Sequence, residues 1–168
     1  MTKSKPHLYR LEVTWTGNTG SGTQSYNAYD RAHTITAADK PAIAASADPV
    51  FRGDKTKYNP EELLVASLSS CHMLWYLHLC AEAKVIVTRY VDYPIGTMME
   101  TGDGGGQFSK VLLRPIVTIT PESNSELAAQ LHEQAHQKCF IANSMNFPVL
   151  CEPSVQLEPE ANFSPDAS

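Results

Sequence analysis

Cysteine and basic charge are both scarce in this sequence. Four cysteines among 168 residues are too few for the disulfide framework of a small secreted domain, so we expect reduced thiols, one or two of which are reactive. The net charge is −5, the isoelectric point is near 5.6, and no Lys/Arg run occurs. A phosphate backbone would therefore meet no basic field, which excludes nucleic acid as an expected partner.

Signals for export or membrane insertion are also missing. The first ten residues, MTKSKPHLYR, lack the apolar segment of a secretory signal, and no later apolar run approaches the roughly 18 residues that span a bilayer. We therefore expect a cytoplasmic protein with no membrane partner. A chain of 168 residues with 42% hydrophobic content suffices for one domain, or for a protomer that completes its core against a copy of itself. We predict one domain over residues 1–158 and a flexible tail over 159–168.

The periodicity of apolar residues predicts an α+β fold with antiparallel pairing throughout. A long, proline-punctuated loop precedes the first helix, and loops of that length are often functional. The predicted strands cover 7–15, 26–36, 85–91, 95–100, 110–120 and a short segment near 154–157, and the predicted helices cover 59–83 and the segment from Ser123 to near Cys139.

The first predicted helix carries a thiol in an apolar setting. Asn59 is a good helix cap, and the stretch NPEELLVASLSSCHMLWYLHLCA places Cys71 on the same stripe as Leu68 and Trp75. A buried free cysteine is most often a small core hydrophobe, so spacing alone favours a structural role. Cys80 lies on the opposite side of the helix and is interpreted as structural.

A reactive Cys71 would need a cation, because only the thiolate is a nucleophile. The best source in the sequence is Arg52, in the FRGD segment just before the helix. On the second helix, His132, His136 and Cys139 follow an i, i+4, i+7 pattern. Such a face is usually one of mixed packing, but imidazole and thiolate at this spacing also suit zinc, so a zinc site remains an alternative.

The sequence resembles the OsmC/Ohr family of thiol-dependent peroxidases, which reduce organic hydroperoxides. The resemblance is carried by NPEELLVASLSSCHMLWYLHLCA around Cys71 and by AHQKCFIANS around Cys139, and it extends over most of residues 7–158. It implies an OsmC-like fold, with antiparallel sheets packed around a long central helix in an intertwined homodimer. It also implies that no bound cofactor is needed, because an external dithiol resets the enzyme.

The resemblance also implies roles for four residues. Cys71 would be the peroxidatic cysteine, and Cys139 the resolving cysteine that condenses with its sulfenic acid. Glu61, in the NPE motif, would hold an arginine over the thiolate, and Arg52 is the candidate for that arginine. In one continuous helix Glu61 and Cys71 lie about 15 Å apart, beyond hydrogen-bond reach. Glu61 must therefore meet the Cys71 of a second subunit, which predicts a homodimer with shared sites.

Two departures from the family pattern concern substrate and reductant. Phe140 follows Cys139 where proline is usual, and His72 follows Cys71 where an apolar residue is common. An apolar surround that includes Trp75 and Phe51 favours organic hydroperoxides over hydrogen peroxide. A binding protein that holds an apolar or thiol-bearing ligand without turnover is the alternative from a different class.

Overall fold

The computed structural model describes residues 5–159. All of the predicted tail except residue 159 lies outside this range. Internal contacts divide the chain into two compact units, Met1–Leu63 and Leu64–Ser168, which are called the N-terminal and C-terminal units below. The helix α1 begins in the first unit and continues into the second.

Residues 5–159 form nine strands and two α-helices, in an order that confirms the α+β class. The strands are β1 (Glu12–Trp15), β2 (His33–Thr36), β3 (Ile43–Ala45), β4 (Val87–Asp92), β5 (Ile95–Glu100), β6 (Gly106–Leu113), β7 (Pro115–Ile119), β8 (Val149–Cys151) and β9 (Ser154–Leu157), and the helices are α1 (Pro60–Glu82) and α2 (Ser125–Lys138). The sequence pattern missed β3 and β8, which are only three residues long, and it began the first two strands several residues too early.

The N-terminal unit contains one antiparallel sheet in the order β1-β2-β3. Its outer strand, β1, is exposed along its whole length, including the large side chains of Val13 and Trp15. The sheet is followed by a short 3-10 turn, Pro49–Phe51, which leads through Arg52 to α1.

The C-terminal unit contains two three-stranded sheets, ordered β4-β7-β9 and β5-β6-β8. The prediction that every pairing is antiparallel is wrong, because β6 pairs with β8 and β7 pairs with β9 in parallel. Parallel partners need a long crossover, and α2 lies within the connection that provides it. Each sheet therefore gains its third strand from the segment after α2.

The predicted strand 110–120 is in fact two strands that belong to different sheets. The division falls at Arg114 and Pro115, between β6 and β7. Pro115 has no N–H to donate to a β-ladder. The Arg114 N–H donates a hydrogen bond to the Asp92 carboxylate at 2.7 Å. The apolar pattern continues across this break, which is why it indicated a single strand.

The caps of both helices are well defined. Asn59 and Glu62 form a reciprocal pair, in which each backbone N–H donates to the other side chain at 3.1 and 2.8 Å, so the predicted start of α1 is confirmed. The start of α2 predicted at Ser123 is too early, because the cap is Asn124 and the helix begins at Ser125. Asn124 accepts from the Leu127 N–H, while the Ser123 hydroxyl accepts from the Ile86 N–H.

Helix α1 passes between two buried clusters of the C-terminal unit. One cluster contains Tyr76 and Leu79 and packs on α2 and on β7, and the other contains Leu68 and packs on β6 and β8. The expectation of no spanning-length apolar segment is wrong for α1, which has a mean hydropathy of 1.4 over an 18-residue window, 28% of it buried. Core helices of soluble proteins pass the same test.

Candidate active site

The structure brings the two predicted redox cysteines together in the C-terminal unit. Cys71 lies at the middle of α1, and Cys139 follows the last residue of α2. The two thiols lie close enough for Cys71 to contribute to the raised pKa of Cys139. Both are free thiols; Cys71 is half-buried, whereas Cys139 is buried. The more accessible sulfur is therefore the one assigned to peroxide attack.

The end of α2 determines the backbone conformation of Cys139. Its backbone leaves the helical conformation, at φ −67° and ψ 110°, and its sulfur accepts a hydrogen bond from the Ala142 N–H at 3.4 Å. Burial, followed by the proximity of Cys71, raises the pKa of Cys139 to about 11. At neutral pH Cys139 is therefore a neutral thiol.

Aromatic side chains flank the cysteine pair. Trp75, one turn after Cys71, meets the ring of Phe140 edge to face at 5.7 Å between centroids, and the Lys138 ammonium lies 5.5 Å from the Trp75 ring centroid. Phe140 itself is 70% exposed. Phe140 thus adds an exposed apolar surface directly after Cys139.

Arg52 occupies a tightly built loop of the N-terminal unit. Its φ of 65° is left-handed, which is uncommon for a residue other than glycine. Asp48 accepts from the Val50 N–H at 2.8 Å, and Gly53 packs so closely on Ala47 that a Cβ would lie 1.6 Å from a carbonyl oxygen. The loop therefore fixes the Arg52 backbone, while the Arg52 side chain is exposed.

Glu61 lies in the first turn of α1, where its charge complements the helix dipole. One of its carboxylate oxygens, Oε2, is buried and accepts no hydrogen bond from residues 5–159. A buried carboxylate oxygen without a donor is costly. Glu61 therefore has an unused position for a cationic or N–H partner.

A second cluster of reactive side chains was not predicted. His72 Nε2 lies 3.0 Å from His132 Nδ1 and 3.6 Å from the Cys151 sulfur, and one donor atom from each residue lies within 4.8 Å of the other two. His72 is fully buried, His132 is 3% exposed, and Cys151 is half-buried. The cluster joins α1, α2 and β8 within the C-terminal unit.

Burial makes this cluster electrically neutral. It lowers the pKa of His72 to about 4, with a further contribution from the nearby His136, and that of His132 to about 3. The pKa of the Cys151 thiol is raised to about 12, again mainly by burial. All three groups are therefore uncharged near neutral pH.

The zinc set predicted from spacing, His132, His136 and Cys139, is wrong in its thiol. Cys139 lies beyond the end of α2 and turns to Cys71, so the helical i+7 relation does not hold for it. The sulfur that meets His132 and His72 belongs to Cys151, on a strand. Two members of this cluster carried a signal in the sequence, His132 through its spacing from His136 and His72 as a departure from the pattern of the family that the sequence resembles.

Comparison with known proteins assigns the family. The sequence model described as OsmC-like protein matches residues 53–154. The chain belongs to the OsmC/Ohr family. The structure of an OsmC-like protein of unknown function from Vibrio cholerae is 34% identical, with a TM-score of 0.80 over 88% of this chain and 99% of its own. No curated protein sequence matches the chain.

More distant structures share the OsmC fold. An organic hydroperoxide resistance protein from Elizabethkingia anophelis is 20% identical, with a TM-score of 0.63 over 92% of this chain and 100% of its own. Another, from Legionella pneumophila, is 18% identical, with a TM-score of 0.63 over 90% and 99%.

Among the site residues expected from the OsmC pattern, Cys71 and Cys139 meet within one unit. Arg52 and Glu61 both belong to the other unit, Arg52 on its strained loop and Glu61 at the first turn of α1. Their predicted roles toward the thiolate stay predictions, whereas the contact between the two thiols is a feature of the structure.

Proposed function

We propose that this protein is a cysteine-based peroxidase that reduces organic hydroperoxides. The observation that carries the proposal is the proximity of a half-buried thiol, Cys71, to a buried one, Cys139, whose pKa it helps to raise. Two neighbouring thiols of this kind are what dithiol–disulfide chemistry requires. Membership of the OsmC/Ohr family and the hydroperoxide resistance proteins of the same fold support this choice of substrate.

The reaction has two steps followed by a reset. The Cys71 thiolate attacks the terminal oxygen of the hydroperoxide, the O–O bond breaks, and the leaving alkoxide takes a proton to give the alcohol and a Cys71 sulfenic acid. Cys139 then loses its proton and attacks that sulfur, which releases water and forms the disulfide. A dithiol reductant restores both thiols and is itself oxidised to a disulfide, so a cytoplasmic location is part of the proposal.

The proposal assigns Arg52 to stabilise the Cys71 thiolate and Glu61 to hold Arg52. Support comes from the family pattern, from the fixed Arg52 loop and from the unused Glu61 oxygen. An Arg52→Lys variant keeps the charge but loses the planar fork that pairs with a carboxylate. We expect Arg52→Lys to react with hydroperoxide more slowly than the wild type and Arg52→Gln to react more slowly still.

The proposal also includes a homodimer. Helix α1 is apolar, yet only 28% of its most hydrophobic window is buried within one chain, and Leu74 on it is 63% exposed. The outer strand β1 presents Val13 and Trp15 to solvent as well. Exposed apolar surface of this kind is typical of an interface. Sedimentation analysis should give twice the chain mass, and a monomer would remove this part of the proposal.

The test of the reaction is thiol consumption by cumene hydroperoxide, with hydrogen peroxide as the comparison oxidant. We expect rapid loss of two thiols per chain, faster with the apolar oxidant because Trp75 and Phe140 flank the pair. Cys71→Ser should lose at least about 100-fold in rate, since the nucleophile is removed. Cys80→Ala is the matched control, because Cys80 is buried away from the pair in the core.

Two results would contradict the proposal. A Cys71→Ser protein that consumes hydroperoxide as fast as the Cys80→Ala control would show that Cys71 is not the nucleophile. A wild-type Cys71 that alkylates no faster than free cysteine and gains no disulfide with hydroperoxide would favour the ligand-binding alternative.

A further inference from the structure

The cluster of His72, His132 and Cys151 leaves polar atoms without partners. The neutral imidazoles hold four nitrogens and two ring protons, and only His72 Nε2 and His132 Nδ1 face each other. Whichever ring donates in that bond, the other two nitrogens, His72 Nδ1 and His132 Nε2, are buried and find no partner among residues 5–159. An ion bound by the two facing nitrogens would place each ring proton on these outer nitrogens, so the facing nitrogens and the Cys151 sulfur are the atoms available as ligands.

Two of the three distances among the donor atoms are close to the edges of a tetrahedral metal site, and the third is within 4.8 Å. With zinc bonds of about 2.0–2.1 Å to nitrogen and 2.3 Å to sulfur, tetrahedral ligands lie about 3.3 Å apart for two nitrogens and about 3.6 Å for nitrogen and sulfur. The structure has 3.0 Å between the imidazole nitrogens and 3.6 Å between His72 Nε2 and the Cys151 sulfur. The two ring planes are 8° apart.

We propose that His72, His132 and Cys151 bind a zinc ion in the interior of the C-terminal unit. Two imidazoles and one thiolate form a donor set typical of zinc, and the Cys151 proton and any proton on the ligating nitrogens leave when the ion binds. This site is separate from the Cys71–Cys139 pair, and the zinc proposal does not depend on the peroxidase proposal.

The fourth coordination position would open toward a cavity of about 310 Å³ that is lined by both His132 and Cys151. The same cavity is lined by Glu133 and His136, and the His136 Nδ1 atom is buried without a partner in the described chain. Three protein ligands with an open fourth position are typical of zinc ions that bind water or a small ligand. The cavity also provides a path by which an ion could enter a cluster that is otherwise closed.

The rest of the cluster is shaped to hold such ligands. The ring of His132 stacks on Tyr76 at 3.8 Å between centroids and 15° between planes, which restrains its rotation. His72 is held by α1 and Cys151 by the parallel pairing of β8 with β6, in which Cys151 lies opposite Leu113. Rigid supports of this kind are what a precise ligand geometry needs.

The test is metal uptake by the full chain, stripped with a chelator and kept reduced. We expect about one zinc ion per chain after desalting, and with Co²⁺ the near-ultraviolet absorption of a thiolate–cobalt bond. Cys151→Ser should abolish that absorption and weaken zinc binding by more than the roughly 10- to 100-fold that outer-shell changes cost. Cys71→Ser and Cys139→Ser should keep both properties.

Histidine variants distinguish the proposed zinc ligands from histidines that do not bind the ion. His132→Gln should lose zinc, while His78→Gln, which changes an exposed histidine paired with Glu82, should retain it. Near-ultraviolet circular dichroism of the stripped proteins confirms that each variant is folded. Absence of zinc uptake by the stripped wild type, or a thiolate–cobalt absorption that survives in Cys151→Ser, would overturn the proposal.

Discussion

Two neighbouring residues of α1, Cys71 and His72, lead into two different environments. Cys71 is half-buried and meets Cys139, just past the end of α2, whereas His72 is fully buried and meets His132, in the middle of α2. One helical step turns the side chain by about 100°, which is enough to separate an accessible thiol pair from a closed imidazole cluster. Position on a helix, rather than proximity in sequence, decides which chemistry a residue can take part in.

The two environments also differ in how they exchange with solvent. A redox pair has to meet both an oxidant and a reductant, and the exposure of Cys71 permits this. The imidazole cluster borders a cavity that is lined by His132 and Cys151. The first environment therefore suits turnover, and the second suits a bound ion.

Cys139→Ser is expected to separate the two environments most clearly, because it should change the product of the hydroperoxide reaction. Without the second thiol the proposed Cys71–Cys139 disulfide cannot form, so hydroperoxide should leave a Cys71 sulfenic acid that adds about 16 Da, where the wild type loses about 2 Da. Intact mass after one equivalent of cumene hydroperoxide distinguishes the two. The proposed zinc uptake should be unaffected by the same change. A loss of about 2 Da in Cys139→Ser would mean that another cysteine resolves Cys71.

The rate of disulfide formation should rise steeply with pH. Because burial and Cys71 raise the pKa of Cys139 to about 11, its thiolate is a minor species at pH 7. The thiolate fraction grows about tenfold per pH unit below that pKa, so the second step should accelerate from pH 7 to 9 and level off near 11. Stopped-flow mixing of the sulfenic form at each pH measures this. A rate that does not change between pH 7 and 9 would contradict attack by a buried, neutral Cys139.

Sequence patterns captured the parts of the molecule that local chemistry specifies. The cap at Asn59 and the apolar stripe around Cys71 predicted α1 almost to the residue, because both are encoded within the helix itself. The contact between Cys71 and Cys139 came from resemblance to the family and not from spacing. Strand direction was not predictable, since the apolar pattern of β8 or β9 is the same whichever way its partner runs.

The imidazole cluster escaped prediction for a similar reason. Its members are far apart in sequence: His132 lies 60 positions after His72, and Cys151 lies 79 positions after it. No periodicity within one element relates them. The i, i+4, i+7 pattern on α2 pointed instead to Cys139, because the end of the helix could not be placed to within one residue.

Substitutions in the two environments should also differ in their cost in unfolding free energy. We expect this difference to be smaller than the differences in reactivity. His132→Ala removes a buried ring that stacks on Tyr76 and leaves His72 without its partner, which should cost about 3 kcal/mol of unfolding free energy. Cys139→Ala removes one small sulfur and should cost about 1 kcal/mol. Urea unfolding of chelator-treated, reduced proteins measures both. Equal costs would mean that the cluster contributes no more to the core than the resolving thiol.

The smallest effect is expected from the cap of α2, which serves both environments because this helix carries His132 and leads into Cys139. Asn124→Ala leaves the Leu127 N–H without its side-chain acceptor and should cost about 1 kcal/mol in urea unfolding. Asn124→Ser keeps an acceptor and should recover most of that loss. The cap lies two turns from His132, so neither hydroperoxide consumption nor zinc uptake should change while the protein is folded. A selective loss of one of these activities would show that the start of α2 positions that site directly.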